Sequence, residues 1–240
     1  MTKNSDMTFI DHLEALRWAL IRSICLIGLV MFGSFVYSNV IQDFIMQPLY
    51  DLNLKNFTLQ DLKITSPFVV KVIIAVFTSI IISFPYFIFE LLNFIYPAIS
   101  KISKLYLFFI FILSILFFYT GCTFGYFFLF PNTISFFVGL VDNSVEFNPE
   151  RLNYVFYSFW LIIVSGFIYQ LPIISLILTK LGIINYEFLK QMRSIALIIF
   201  LVFGAIISPP DPLSQLFIAV PLYFLYELGI VISYFFRVEK

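Results

Sequence analysis

The sequence predicts an all-α membrane protein in which six transmembrane helices form a curved, concave bundle with both termini on the cytoplasmic or matrix side. Three observations lead there. First, 61% of the 240 residues are hydrophobic and only 12% are charged, with a mean hydropathy of +1.01, whereas about 25% of an average soluble domain is charged. Second, long uncharged runs recur along the whole chain. Third, Lys and Arg gather on alternate connections between those runs. A soluble globule of this length needs a polar coat that 14 basic and 14 acidic side chains cannot supply. Soluble enzymes, nucleic-acid binders and disordered chains are therefore excluded, and a net charge of zero gives no basic field for a polyanion.

Spanning a hydrocarbon core of about 30 Å takes roughly 20 apolar residues. The runs that qualify lie at 18–37, 67–96, 105–131, 154–178, 194–208 and 213–236, within one membrane domain covering 1–240. Ahead of the first, Phe9, Leu13 and Leu16 fall at helical spacing with Asp11, Glu14 and Arg17 on the other faces. Thr8 and Asp11 resemble a capping box. A short amphipathic surface helix over 8–17 is expected, followed by an uncleaved anchor in which Arg22 snorkels to the headgroups. Segments 38–66 and 132–153 are both acidic and long enough to cap one membrane face. The first has Val40, Ile41, Phe44 and Ile45 spaced for one face of an interfacial helix.

Pro85, Pro172 and Pro221 lie inside the second, fourth and sixth runs. Each removes a backbone hydrogen bond and bends its helix, which leads to the concave bundle; the alternative is that Pro is simply commoner in spans than in soluble helices. Gly121 and Gly125 form a GxxxG pair suited to close packing. The fifth run has 15 residues and reaches only about 22 Å as a helix. A rigid Ser208-Pro209-Pro210-Asp211-Pro212 reversal follows it. A hairpin this short leaves the membrane early or thins the bilayer locally.

Ten of the 14 Lys and Arg residues, among them Arg17, Arg22, Lys101, Lys104, Lys180 and Arg193, fall on the side of the two termini, and Lys55, Lys63 and Arg151 fall on the other. By the positive-inside rule the termini face the cytoplasm or matrix. Three ionisable residues lie within apolar runs, Lys71, Glu90 and Glu227, with Gln170 an uncharged polar group in the fourth; Lys71, close to its span's edge, is expected to snorkel. Glu90, five residues past Pro85, is expected on the concave side of the bent second helix, and Glu227 to pair across the bundle or be protonated. The only histidine, His12, leaves no residues for an intramembrane metal site or catalytic triad. Cys25 and Cys122 lie in separate apolar runs and imply no disulfide framework.

These motifs, taken in order, resemble a known family. His12-Leu13-Glu14-Ala15-Leu16-Arg17 is similar to the HLxELR signature of TatC, the multi-span subunit of the twin-arginine (Sec-independent) translocase. Phe94-Ile95-Tyr96-Pro97 resembles its F-x-x-P element. Gly125-Tyr126 through Phe130-Pro131, Ser208-Pro209-Pro210-Asp211 with Gln215, and Pro221 through Tyr226-Glu227 follow in the same order. The resemblance implies a receptor scaffold that takes the signal peptides of folded precursors and recruits single-span TatA- or TatB-type partners. Transport is then driven by the proton-motive force, without catalytic residues, cofactor, metal or nucleic acid. It assigns Glu14, Arg17, Phe94, Pro97 and Lys101 to a signal-peptide face. Pro48, Tyr126, Asp211, Gln215 and Glu227 go to loop, partner and helix-packing contacts, within a homo-oligomer in the lipid bilayer.

Three departures accompany the matches. Ala15 and Ser103 stand where the family usually has glutamates expected to pair with the arginines of the signal, and Gln170 stands where many relatives have Glu. Glu14, one residue early, is turned about 100° around the helix. Recognition is therefore expected not to depend on a full arginine pair. That loss, together with 33 Phe and 14 Tyr against 9 Gly, resembles the mitochondrially encoded branch, whose expected cargo includes a folded Rieske-type iron–sulfur protein. The mitochondrial inner membrane is the expected location, with a bacterial plasma membrane or a plastid as alternatives. The competing function classes are a secondary transporter built around Glu90, Gln170 and Glu227, and an assembly subunit of a respiratory complex.

Overall fold

The computed structural model describes residues 9–51, 58–99, 103–141, 148–207 and 212–235. Those residues are almost entirely helical. Five helical stretches are long and apolar enough to cross a bilayer: Leu13–Val36, Ser66–Ile95, Lys104–Gly139, Arg151–Lys180 and Ile218–Phe235. The apolar helix Arg193–Ala205 is shorter. The outward faces carry Ile24, Leu29, Phe32, Phe108, Ile198 and Phe224, all exposed in the isolated chain. Such a coat suits hydrocarbon as its solvent.

The first helix, α1 (Phe9–Val36), runs unbroken from the basic end. A separate surface helix over 8–17 is thus corrected, because nothing between Arg17 and Trp18 interrupts helical hydrogen bonding. Thr8 of the expected capping box lies outside the described residues. Helix α2 (Ser38–Tyr50) follows at the opposite face. It buries Ile45, Met46, Pro48 and Leu49, while Val40 and Phe44 are exposed, so its inner face is rotated from the one the apolar spacing suggested.

Helix α3 (Ser66–Ile95) returns toward the basic side and packs along α1. Pro85 leaves it continuous. The Ile81 carbonyl, four residues before that proline and so deprived of its usual donor, accepts a hydrogen bond of 3.1 Å from the Tyr119 hydroxyl of the next helix. A 3-10 turn at Tyr96–Ile99 leads to α4 (Lys104–Phe124), which Ser103 caps by accepting from the Tyr106 amide.

Beyond α4 the helix does not end at Pro131. Residues Gly125–Leu129 adopt a π-helical register and α5 (Phe130–Gly139) continues the rod. The wider register accommodates a proline ring that clashes with an ordinary helical turn. The span therefore outruns 131, and the connection before the next helix is correspondingly shorter.

The fourth span is broken as its proline demands: α6 (Arg151–Ile168) stops four residues short of Pro172, and α7 (Leu171–Lys180) resumes. The two form the most buried of the spans. Gly121 and Gly125 press onto α6, where an added Cβ on Gly121 would lie 2.6 Å from the Ser165 carbonyl oxygen and 2.9 Å from the Gly166 Cα. Phe84 and Phe118 stack between α3 and α4, and Phe167 of α6 meets both edge-on.

Gly182, with φ of 72°, turns the chain toward the short α8 (Tyr186–Gln191). Then come α9 (Arg193–Ile207) and α10 (Pro212–Phe235), packed on each other, with α10 also against α7. At the face opposite the basic side, the two loops clasp. Gln60 and Glu150 form a parallel bridge, Thr58 donates to the Asn148 side chain, and Arg151 pairs bidentately with Asp61.

Candidate functional site

Each intramembrane polar residue is engaged by a different neighbouring helix. Glu90, with 7% of its side chain exposed, lies 3.0 Å from the Arg22 guanidinium of α1 and accepts a 2.9 Å hydrogen bond from Tyr86. It turns toward α1, where Arg22 pairs with it, and not into an open concavity. Gln170 sits in the break before Pro172. Its amide oxygen accepts from the Ser114 hydroxyl at 2.6 Å and its nitrogen donates to the Ser114 carbonyl at 2.9 Å. Glu227 receives Arg193 at 2.6 Å. Its neighbour Tyr226 donates to the Leu189 carbonyl at 2.7 Å.

In hydrocarbon a lone carboxylate is costly, and a guanidinium fork removes much of that cost when the geometry is close. The Arg22 and Arg193 pairs therefore do structural work: one registers α1 against α3, the other α9 against α10.

The Arg22–Glu90 contact also brings two motifs to one end of the molecule. Because α1 and α3 run antiparallel, Glu14 and Arg17 on the first turns of α1 lie at the same membrane side as Phe94 and Pro97 at the end of α3. Glu14, Arg17 and Pro97 are exposed and Phe94 is half-buried. Lys101 lies outside the described residues. Ala15 is half-buried on α1, and Ser103 serves as the helix cap, so the two positions lacking glutamate carry other local duties.

At the other side the structure pairs Pro48 with Tyr126. Pro48 leaves the Phe44 carbonyl without its helical donor, the Tyr126 hydroxyl supplies one at 2.6 Å, and the Phe44 and Tyr126 rings stack with centroids 4.5 Å apart. Tyr154 adds a bond to the Ile45 carbonyl at 3.3 Å. Gln215 donates to the Leu201 carbonyl at 2.8 Å, tying the outer end of α10 to α9. Asp211 lies outside the described residues.

A family model for "Sec-independent protein translocase protein (TatC)" matches residues 11–221. The chain belongs to the TatC family. Among curated TatC proteins it is 28% identical to that of Desulforapulum autotrophicum, over 97% of this chain and 86% of the relative. It is 32% identical to that of Halalkalibacterium halodurans, over 95% and 90%. Its fold superposes on the crystal structure of the twin arginine translocase receptor TatC with a TM-score of 0.80 and 28% identity, covering 93% of this chain and 98% of that one. The protein is accordingly an integral, multi-pass, all-helical TatC-family translocase protein with a transport role.

Within the TatC scaffold, sequence reasoning missed the residues that answer the buried acids. For Glu227 a signal was present: Arg193 and Glu227 are equidistant in sequence from Pro210, so an antiparallel hairpin turning there sets them at equal depth. For Glu90 the signal was Arg22 inside an apolar run. Ser114 and Tyr119 carried none, because a hydroxyl in a span is silent until its rotational position is known.

Proposed function

We propose that this chain is the receptor core of a Sec-independent translocase, binding signal sequences of folded precursors on its Lys- and Arg-rich side. Glu14, Arg17, Phe94, Pro97 and Lys101 form the receiving face, on one membrane domain spanning 1–240. The chain crosses the bilayer six times with both termini on that side, α9 being the short crossing. What supports this reading is the receptor fold extending over nearly the whole chain, together with the Arg22–Glu90 register that sets the two sequence motifs at one end.

Single-span TatA- or TatB-type proteins are the partners. The exposed apolar face of α9, with Ile195, Ile198 and Val202, offers them a membrane-embedded surface. Pro48, Tyr126, Asp211 and Gln215 hold the far loops and the α9–α10 hairpin from which those contacts are made. The complex is a homo-oligomer energised by the proton-motive force, and the α9–α10 hairpin thins the bilayer beside it. The Phe- and Tyr-rich composition and the missing carboxylates favour the mitochondrial inner membrane, with a Rieske-type precursor as cargo; a bacterial plasma membrane is the location that bacterial relatives would favour.

Site-specific photo-crosslinking from positions 14, 94 and 101 in native membranes tests the assignment. Adducts to a presequence or folded precursor are expected. Adducts only to stable respiratory subunits, or none, would overturn it.

A further inference from the structure

The hairpin made by α3 and α4 opens at its basic end onto a cavity of 490 Å³. Two matched stripes line it, at positions 89, 92, 93 and 96 on one strut and 104, 107, 108 and 111 on the other. Both repeat at i, i+3, i+4 and i+7, so each is one helix face turned to the gap. Polarity is graded along it. Asn93, Tyr96 and Lys104 fall at the turn end, whereas Phe89, Phe108 and Phe111 lie up to about 10 Å deeper by helical rise. Phe89 and Phe108 are 48% and 59% exposed, so the cavity is open sideways to the hydrocarbon.

Charge selects the occupant. Lys104 makes no ion pair among the described residues. Segment 97–104 carries no Asp or Glu to neutralise Lys104. A basic residue and a carboxamide above a row of aromatic rings, at the headgroup level of the Lys-rich side, match a phosphate joined to an acyl chain. The volume falls within the range of about 300–1,000 Å³ common to small-molecule sites. The neighbouring receiving face is a different surface, because Phe94 is turned about 100° from Asn93.

We propose that this cavity binds one anionic glycerophospholipid of the basic-side leaflet. The headgroup phosphate lies on Lys104 and Asn93, and an acyl segment lies against Phe89, Phe108 and Phe111. The site does not depend on the receptor reading. It makes the α3–α4 hairpin, and hence the adjacent Phe94–Pro97 turn, responsive to the charge of the surrounding lipid.

The test is native mass spectrometry of the full-length protein, delipidated and then loaded with dioleoyl phosphatidylglycerol or dioleoyl phosphatidylcholine. One phosphatidylglycerol per chain is expected, retained about five-fold over phosphatidylcholine, the preference that one lysine supplies at a membrane surface. Lys104→Gln, on an exposed position, removes the preference; Leu107→Trp, which fills the cavity, lowers retention of both lipids. Inorganic phosphate at the same headgroup concentration leaves the lipid bound. Equal retention of the two lipids, a preference that survives Lys104→Gln, retention unchanged by Leu107→Trp, or displacement by phosphate or by a signal peptide would each overturn the assignment.

Discussion

Helices α3, α4 and α6 are joined through ring stacks and glycines, whereas α8, α9 and α10 are joined chiefly through polar groups. In the first set, Phe84 stacks on Phe118, Phe77 on Phe159, and Gly121, Gly125 and Gly166 bring α4 and α6 to backbone contact. In the second, Arg193 holds Glu227, Gln215 holds the Leu201 carbonyl, Tyr226 holds the Leu189 carbonyl, and the Thr179 and Ser233 hydroxyls join α7 to α10. Lipid tails are as apolar as leucine, so helices in a bilayer associate by close packing or by hydrogen bonds and not by the hydrophobic effect. Close packing is short-ranged, because a gap of about 0.5–1 Å already forfeits roughly a quarter to a half of each contact. Polar contacts between partly exposed groups exchange with less loss. The contrast makes the α3–α4–α6 body the stiffer frame, at whose basic end the proposed receiving face lies, and the α9–α10 hairpin the more adjustable arm beside it.

The largest effect belongs to the frame. Gly121→Leu drives a side chain into the Ser165 carbonyl and should cost at least about 3 kcal/mol, read as loss of monodisperse folded protein on heating in detergent. Gly204→Leu on α9 meets the Gln215 carbonyl at 2.9 Å and should cost less, because the hairpin can shift; equal losses would break the contrast.

Next comes Arg22→Ala, which strands a carboxylate with 7% of its side chain exposed and leaves Tyr86 as its remaining donor. About 2–3 kcal/mol is expected, less than for a fully buried pair because the Arg22 side chain is 56% exposed, with most of it recovered in Arg22→Ala combined with Glu90→Gln. Arg193→Ala should cost less, about 1.5 kcal/mol, because Arg193 opens α9 at the basic end and both partners are partly exposed there, so Glu227 can turn toward the headgroup region. If the second substitution proves the more damaging, the arm is not the looser part. Smallest is Asp61→Asn in the loop clasp, about 0.5 kcal/mol at low salt and vanishing at high salt, measured by the same melts.

The five long apolar helices, the shorter apolar helix at Arg193–Ala205 and the Gly121–Gly125 face were legible because hydrophobic runs and small-residue spacing are local signals. The bends at Pro85 and Pro172 were legible as positions but not in their outcome. Pro85 is absorbed by the Tyr119 hydroxyl, Pro172 breaks its helix beside Gln170, and Pro131 is passed by a π-helical register. The partners of Glu90, Gln170, Glu227 and Pro48 depended on the depth and rotation of two separate helices, which no single window of sequence contains. The family was readable from motif order alone, and the whole-length match to TatC proteins bears that out.

The receptor reading with its missing carboxylates makes one further demand. The measurement is binding of a twin-arginine signal peptide, and of its twin-lysine counterpart, to the full-length protein and to Ala15→Glu combined with Ser103→Glu. The unaltered protein should bind both peptides within about threefold of each other, and the double variant should prefer arginine by about tenfold, the value of one bidentate charge-assisted contact. No binding of either peptide, or a strong arginine preference already present without the two glutamates, would contradict the account.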